Sequence, residues 1–136
     1  MATYNKFQPF VEALAEKVHN LGSDALTIAL TNSAPTAGMD QLADISEIAY
    51  TYCSDRVLTV SASAQTSGTY KLTIADKILS ASGGAVGAFR YIVIYNDTAA
   101  GDELIAWFDY GSSITLNDGE TITLDFDGSN GLLTLA

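Results

Sequence analysis

Apolar residues recur at every second position through most of this chain, and that period limits the fold more than any other feature. Leu26, Ile28 and Leu30 alternate with Thr27, Ala29 and Thr31; Leu58, Val60, Ala62 and Ala64 alternate with Thr59, Ser61 and Ser63. Tyr70, Leu72 and Ile74 alternate with Lys71 and Thr73, and Ile122, Leu124 and Phe126 with Thr123 and Asp125. A strand turns successive side chains to opposite faces, so a period of two predicts strands with one face buried. Turn-forming clusters separate them: Gln65-Thr66-Ser67-Gly68, Ser82-Gly83-Gly84, Asn96-Asp97-Thr98 and Asn117-Asp118-Gly119. Two runs, residues 89–95 and 104–108, are almost continuously apolar. A strand of that kind is covered on both faces. The second cover must come from a helix, a long loop or another subunit.

About eight strands at short, regular intervals predict an all-β fold, an antiparallel β-sandwich or jelly roll forming a single domain over residues 1–136. One element departs from period two. Phe7, Phe10, Val11, Leu14 and Val18 fall at helical spacing, with Glu12, Glu16 and Lys17 between them. They predict one short N-terminal amphipathic helix over about residues 8–19, with Pro9 in its first turn and Gly22 able to take a left-handed cap. Residues 33–54 form a long connection of weak periodicity, with a helical turn expected at Asp44–Glu47. Connections of that length are often functional or interfacial.

Charge excludes some partners. Six basic residues face sixteen acidic ones, a formal net charge of -10, and no basic residue follows Arg90. Such a field repels phosphate backbones and anionic lipid surfaces, so neither nucleic acid nor membrane is an expected partner. No stretch approaches the roughly 20 apolar residues of a spanning helix. The N-terminus lacks a basic segment followed by an apolar run, so no signal peptide is expected. Cys53 is the only cysteine, which leaves no internal disulfide. Both features fit synthesis in a cytoplasm. The apolar fraction of 48% fits a well-filled core, and equally a core plus apolar surface buried between subunits.

Little catalytic chemistry is encoded. Residues 124–131, Leu-Asp-Phe-Asp-Gly-Ser-Asn-Gly, begin like a calcium loop. Counting from Asp125 places Asn130 where an EF-type loop needs glycine, and the twelfth-position glutamate is missing. The same residues read as a strand with Asp125 and Asp127 pointing outward, followed by a hairpin turn into Leu132–Leu135. His19 is the only histidine, and it reads as a cap at the helix end or as a core-edge residue. One histidine and one cysteine cannot build a His/Cys metal cluster. Asp102-Glu103 has the residue types for acid–base work on a glycan but sits in a turn. Residues 82–87 are glycine-rich without the lysine of a phosphate loop. Tyr91, Tyr95, Trp107, Phe108 and Tyr110 cluster on two strands, as a sugar platform or a core would. No catalytic residue, cofactor or metal is expected.

Several phrases resemble a known group. "YNKF" near the start, "HNLGSD" at 19–24, "LTNSAP" at 30–35, "FRYIVIYNDTA" at 89–99, "WFDYGSS" at 107–113 and "LNDGETITLDFDGSNG" at 116–131 resemble small proteins encoded among the virion structural genes of tailed bacteriophages. The resemblance runs over nearly the whole chain. It implies a virion component, transfers no catalytic residues, and leaves the place in the particle open. The expectation is a capsid decoration or cement protein on the outer capsid surface. Its partners would be the major capsid protein and other copies of itself, as a homotrimer or homodimer. A tail or neck component, or a receptor- or glycan-binding module of the virion, is the alternative. Tyr4, Phe7 and Phe10, apolar residues outside the strand pattern, are the expected partner contacts, together with the long connection over residues 33–54.

Overall fold

The computed structural model describes residues 2–136. In chain order the elements are β1 (Thr3–Lys6), α1 (Pro9–Ala15), β2 (Leu26–Thr31), a 3-10 turn (Leu42–Asp44), β3 (Val60–Thr66), β4 (Thr69–Ile74), β5 (Lys77–Ser80), β6 (Val86–Asn96), β7 (Leu104–Leu116), β8 (Thr121–Leu124) and β9 (Leu133–Leu135). The protein is all-β, with every strand pair antiparallel. A four-stranded sheet has the order β1-β7-β6-β2, a three-stranded sheet β3-β4-β9, and a two-stranded sheet pairs β5 with β8.

The two continuously apolar runs are the central strands of the largest sheet. Every side chain from Ile92 to Asn96 and from Leu104 to Trp107 is buried, so both faces are covered. The cover comes from inside the chain. The Phe7 ring packs 4.5 Å from that of Trp107, and Phe126 lies 6.0 Å from Phe108, edge to face. Leu72, Ile74 and Leu79 from β4 and β5 belong to the same core as Ile94 and Ile105. No second subunit is needed over these strands.

Four expectations change in detail. The helix ends at Ala15, not near residue 19, because Lys17 takes a left-handed conformation at φ 69°. Val18 then donates its N–H to the Ala13 carbonyl, and Lys17 to that of Leu14, a Schellman closure with lysine in the place usually held by glycine. Beyond Val60, the expected half-buried strand is exposed on both faces through Thr66, since alanine and serine offer little apolar surface to bury. The 3-10 turn lies at Leu42–Asp44 rather than Asp44–Glu47. Finally, β8 and β9 do not pair with each other: β8 pairs with β5 and β9 with β4. The turn at Gly128–Gly131 carries the chain between sheets and is not a hairpin.

The long connection has a structural task. It runs along the outer edge of β2 and occupies its hydrogen-bonding groups. Ile48 donates to the Leu30 carbonyl, Ile28 to that of Arg56, and Leu58 to that of Leu26. The Tyr50 hydroxyl accepts the Leu30 N–H at 2.9 Å and donates to Glu47 at 2.7 Å. The Arg56 guanidinium lies 3.7 Å over the Tyr50 ring and donates to the Ile28 carbonyl. Burial pushes the Tyr50 phenol well above its ordinary value, so it stays a neutral donor. Edge strands left open invite pairing with other chains, and here one edge of the large sheet is closed.

Tyr50→Phe removes the hydroxyl and leaves the Leu30 amide without its partner. We expect a loss of roughly 1–3 kcal/mol, read as a lower urea midpoint with unchanged slope, together with faster hydrogen exchange at Leu30.

Candidate contact surface along the β1 edge

The opposite edge of the same sheet is open. β1 pairs only with β7, in the register Thr3↔Asp109, Tyr4↔Phe108, Asn5↔Trp107, Lys6↔Ala106. Phe7, the next residue, donates its N–H to Ile105 across the ladder. Hydrogen-bonded and non-bonded positions alternate in an antiparallel pair. The main-chain groups of Tyr4 and Lys6 therefore face away from β7. Neither residue takes part in any further backbone hydrogen bond among the described residues.

Beside this edge lies an apolar wall. The Tyr4 ring meets Phe108 edge-on at 5.4 Å, and Phe108 continues to Phe126. One depression is lined by Tyr4, Phe108, Phe126 and Leu132 together; a second shares Tyr4 and Leu132 with it, and a third shares Phe108 and Phe126. Lys6 borders the set at one end, and Asp125 and Asp127 at the other. Hydrogen bonds from the Asn130 backbone and side chain and from the Ser129 N–H hold the Asp127 carboxyl below the usual carboxylate range. The rim is thus anionic near Ala2 and cationic near Lys6.

The three expected contact residues separate. Tyr4 is 40% exposed and stands on this surface. Phe7, fully buried, and Phe10, 4% exposed, belong to the core instead. They lie outside the strand pattern because they pack across it, Phe7 on Trp107 and Phe10 on the His19 ring at 5.2 Å. Lys6 and Leu132, which also line the surface, were not singled out by the sequence; Phe108 was, as one of the clustered aromatics, and Phe126 as an alternating strand residue. Lys6 lies in a strand too short for its period to register.

The remaining candidates have local structural roles. The Asp127 carboxylate accepts from Ser129 N, Asn130 N and Asn130 Nδ2, so it is engaged in its own turn. In the glycine-rich connection, the Gly83 amide already holds the Asp118 carboxylate at 2.9 Å. Glu103 closes its loop by accepting from Gly101. Tyr95 and Trp107 are buried; among the five clustered aromatics, Tyr110 alone is exposed. Tyr91 and Phe108 are half-buried.

Of its two readings, His19 follows the core-edge one and is not a helix cap: it lies beyond the helix end and is 6% exposed. It joins a buried network centred on Asn96, which is fully buried. The Asn96 Oδ1 accepts from the Thr98 and Ala99 amides, which fixes the orientation of the side-chain amide. Nδ2 then donates to Asp24 at 2.7 Å and to His19 Nδ1 at 3.0 Å. With Nδ1 accepting, the ring hydrogen sits on Nε2, a buried atom with no partner among the described residues. Burial lowers the His19 pKa, against the raising influence of Glu103, Asp24 and Asp40. Protonating Nδ1 would also set it against the Asn96 N–H. Asn96 itself gave no signal in the sequence beyond its place in a turn cluster.

Comparisons with known protein families, with curated proteins and with solved structures find no match to this chain.

The neutral histidine has a consequence for stability. Below its ordinary value near 6.5, the unfolded chain takes up a proton on His19 that the folded chain refuses. Stability is therefore complete above that value and declines as the pH falls through it. Arg90 holds Asp109 below the carboxylate range, as the Asn130 bonds do Asp127, so these carboxyls titrate at lower pH. We expect the melting temperature to fall between about pH 7.5 and 5.5, and His19→Gln to flatten that slope.

Proposed function

We propose that this chain is a non-enzymatic structural protein of a bacteriophage virion, a capsid decoration or cement protein that bridges capsid subunits. It is made in the host cytoplasm and works on the outer capsid surface. The observation that carries the manner of action is the contrast between the two edges of the large sheet. One edge is closed by the long connection between β2 and β3, cross-tied through Tyr50 and Arg56. The other is bare and stands beside an apolar wall. The resemblance to phage-encoded proteins supplies the setting.

In this reading the three sheets pack as a β-sandwich of jelly-roll kind. It presents rigid contact surface to the major capsid protein and to further copies of the chain, as a homodimer or homotrimer. Individual contacts of this sort are weak. Engaged together by one oligomer they gain avidity, typically about 10² to 10⁴ in apparent affinity. The acidic surface turns away from nucleic acid and from anionic membranes. A glycan-binding role has less support, because only Tyr110 of the aromatic cluster that would form its platform is exposed. A place in the tail or neck is the second reading; it shares the virion setting and differs in location.

Electron microscopy of intact particles separates these readings. A decoration protein gives density on the capsid surface at symmetric positions, and particles lacking it release DNA at lower temperature. Density confined to the tail or its tip would reject decoration.

A further inference from the structure

We infer that the open edge of β1 is the contact between two copies of this chain, paired antiparallel about a two-fold axis with Tyr4 opposite Tyr4 and Lys6 opposite Ala2. The inference rests on the oligomer of the preceding reading and assigns it a surface.

The main-chain groups of Tyr4 and Lys6 face outward, so a strand added there completes a ladder. In the proposed register the two Tyr4 residues exchange N–H···O bonds, and Lys6 of each copy does so with Ala2 of the other. Tyr4 and Lys6 lie on one face of β1 by the alternation of a strand, the face that meets Phe108. A second copy therefore lays its own Tyr4 beside the Tyr4–Phe108–Phe126 wall. The adjoining depression, about 580 Å³, is several times the volume of an aromatic side chain.

Charge favours a second copy over an unrelated strand. Asp125 and Asp127 border the Ala2 end of the edge, and Lys6 the other end. Lys6 makes no ion pair among the described residues. Antiparallel pairing brings each Lys6 to the acidic end of the other copy. A two-fold interface must be self-complementary, and opposite charges at the two ends of one strand meet that condition.

β3, an edge of the three-stranded sheet, lacks these features. From Ser61 to Thr66 it carries only serine, alanine, glutamine and threonine. It offers a neighbour neither apolar surface nor charge.

The test is sedimentation velocity on the full chain at micromolar concentration, with circular dichroism to verify folding. Wild type should sediment as a dimer. Lys6→Glu should weaken association about tenfold, since each substitution acts twice across the axis and turns attraction into repulsion. Adding Asp125→Lys to Lys6→Glu should restore the association. In a second arm, Tyr4→Cys in a Cys53→Ser background should cross-link on mild oxidation. A hydrogen-bonded antiparallel pair places its Cα atoms roughly 5.5 Å apart, within the roughly 4.4–6.8 Å that a disulfide spans. A monomer at every concentration overturns the inference. So does an oligomer that is indifferent to Lys6→Glu and fails to cross-link, although that result leaves the oligomeric reading standing. Location in the particle is read independently by microscopy.

Discussion

The pairing of β6 with β7 places nine consecutive-run side chains, Ile92–Asn96 and Leu104–Trp107, out of water on both faces, and the rest of the molecule follows from that requirement. A buried strand cannot be served by one neighbouring layer. Leu72, Ile74 and Leu79 of the smaller sheets, Phe7 and Phe10 at the N-terminus, and Phe126 beyond β8 all converge on this pair. Phe7 and Phe10 are therefore unavailable to a partner, and Tyr4, three residues before the chain turns inward at Phe7, remains at the surface. The one polar side chain inside the run, Asn96, is kept there by bonds to His19, Asp24 and the two amides of its own turn. A buried polar group without such partners would cost about 1–3 kcal/mol.

Much of the strand content was legible in the sequence because periodicity is a local property. Leu26–Thr31, Tyr70–Ile74 and the two apolar runs were placed by alternation or by its absence, and each is a strand. The turn at Ser67-Gly68 has both residues at positive φ, as its composition implied. Partners were less legible. The Gly-Ser-Asn-Gly turn has the same composition whether the following strand pairs back or crosses to another sheet. Only the hydrogen-bonding capacity left open on β4 decides that β9 crosses. Lys17 shows the same limit at a helix end, where the left-handed residue was expected to be glycine. The strain of lysine at that φ is outweighed by the two hydrogen bonds that close the helix.

The candidate surface was the least legible part, for a related reason. Its components come from β1, β7 and the segment after β8, and no one of them is unusual alone. Lys6 is an ordinary basic residue and Asp125 an ordinary outward strand position. What distinguishes them is that both border the same unpaired edge, a property of topology. The long connection illustrates the reverse case. Its length suggested an interface, and part of it packs within the chain, along β2.

The sheet pairings also impose an order in time. β1 finds its partner only when residues 106–109 are present, and β4 gains its second neighbour only from residues 133–135. The bond between His19 and Asn96 spans 77 positions. Closing such distant segments is slow compared with forming local hairpins. During synthesis the β3–β4 hairpin can form early, whereas the N-terminal strand must wait, unpaired, until most of the chain has left the ribosome. Until β7 arrives, the main-chain groups of this segment are held by water alone.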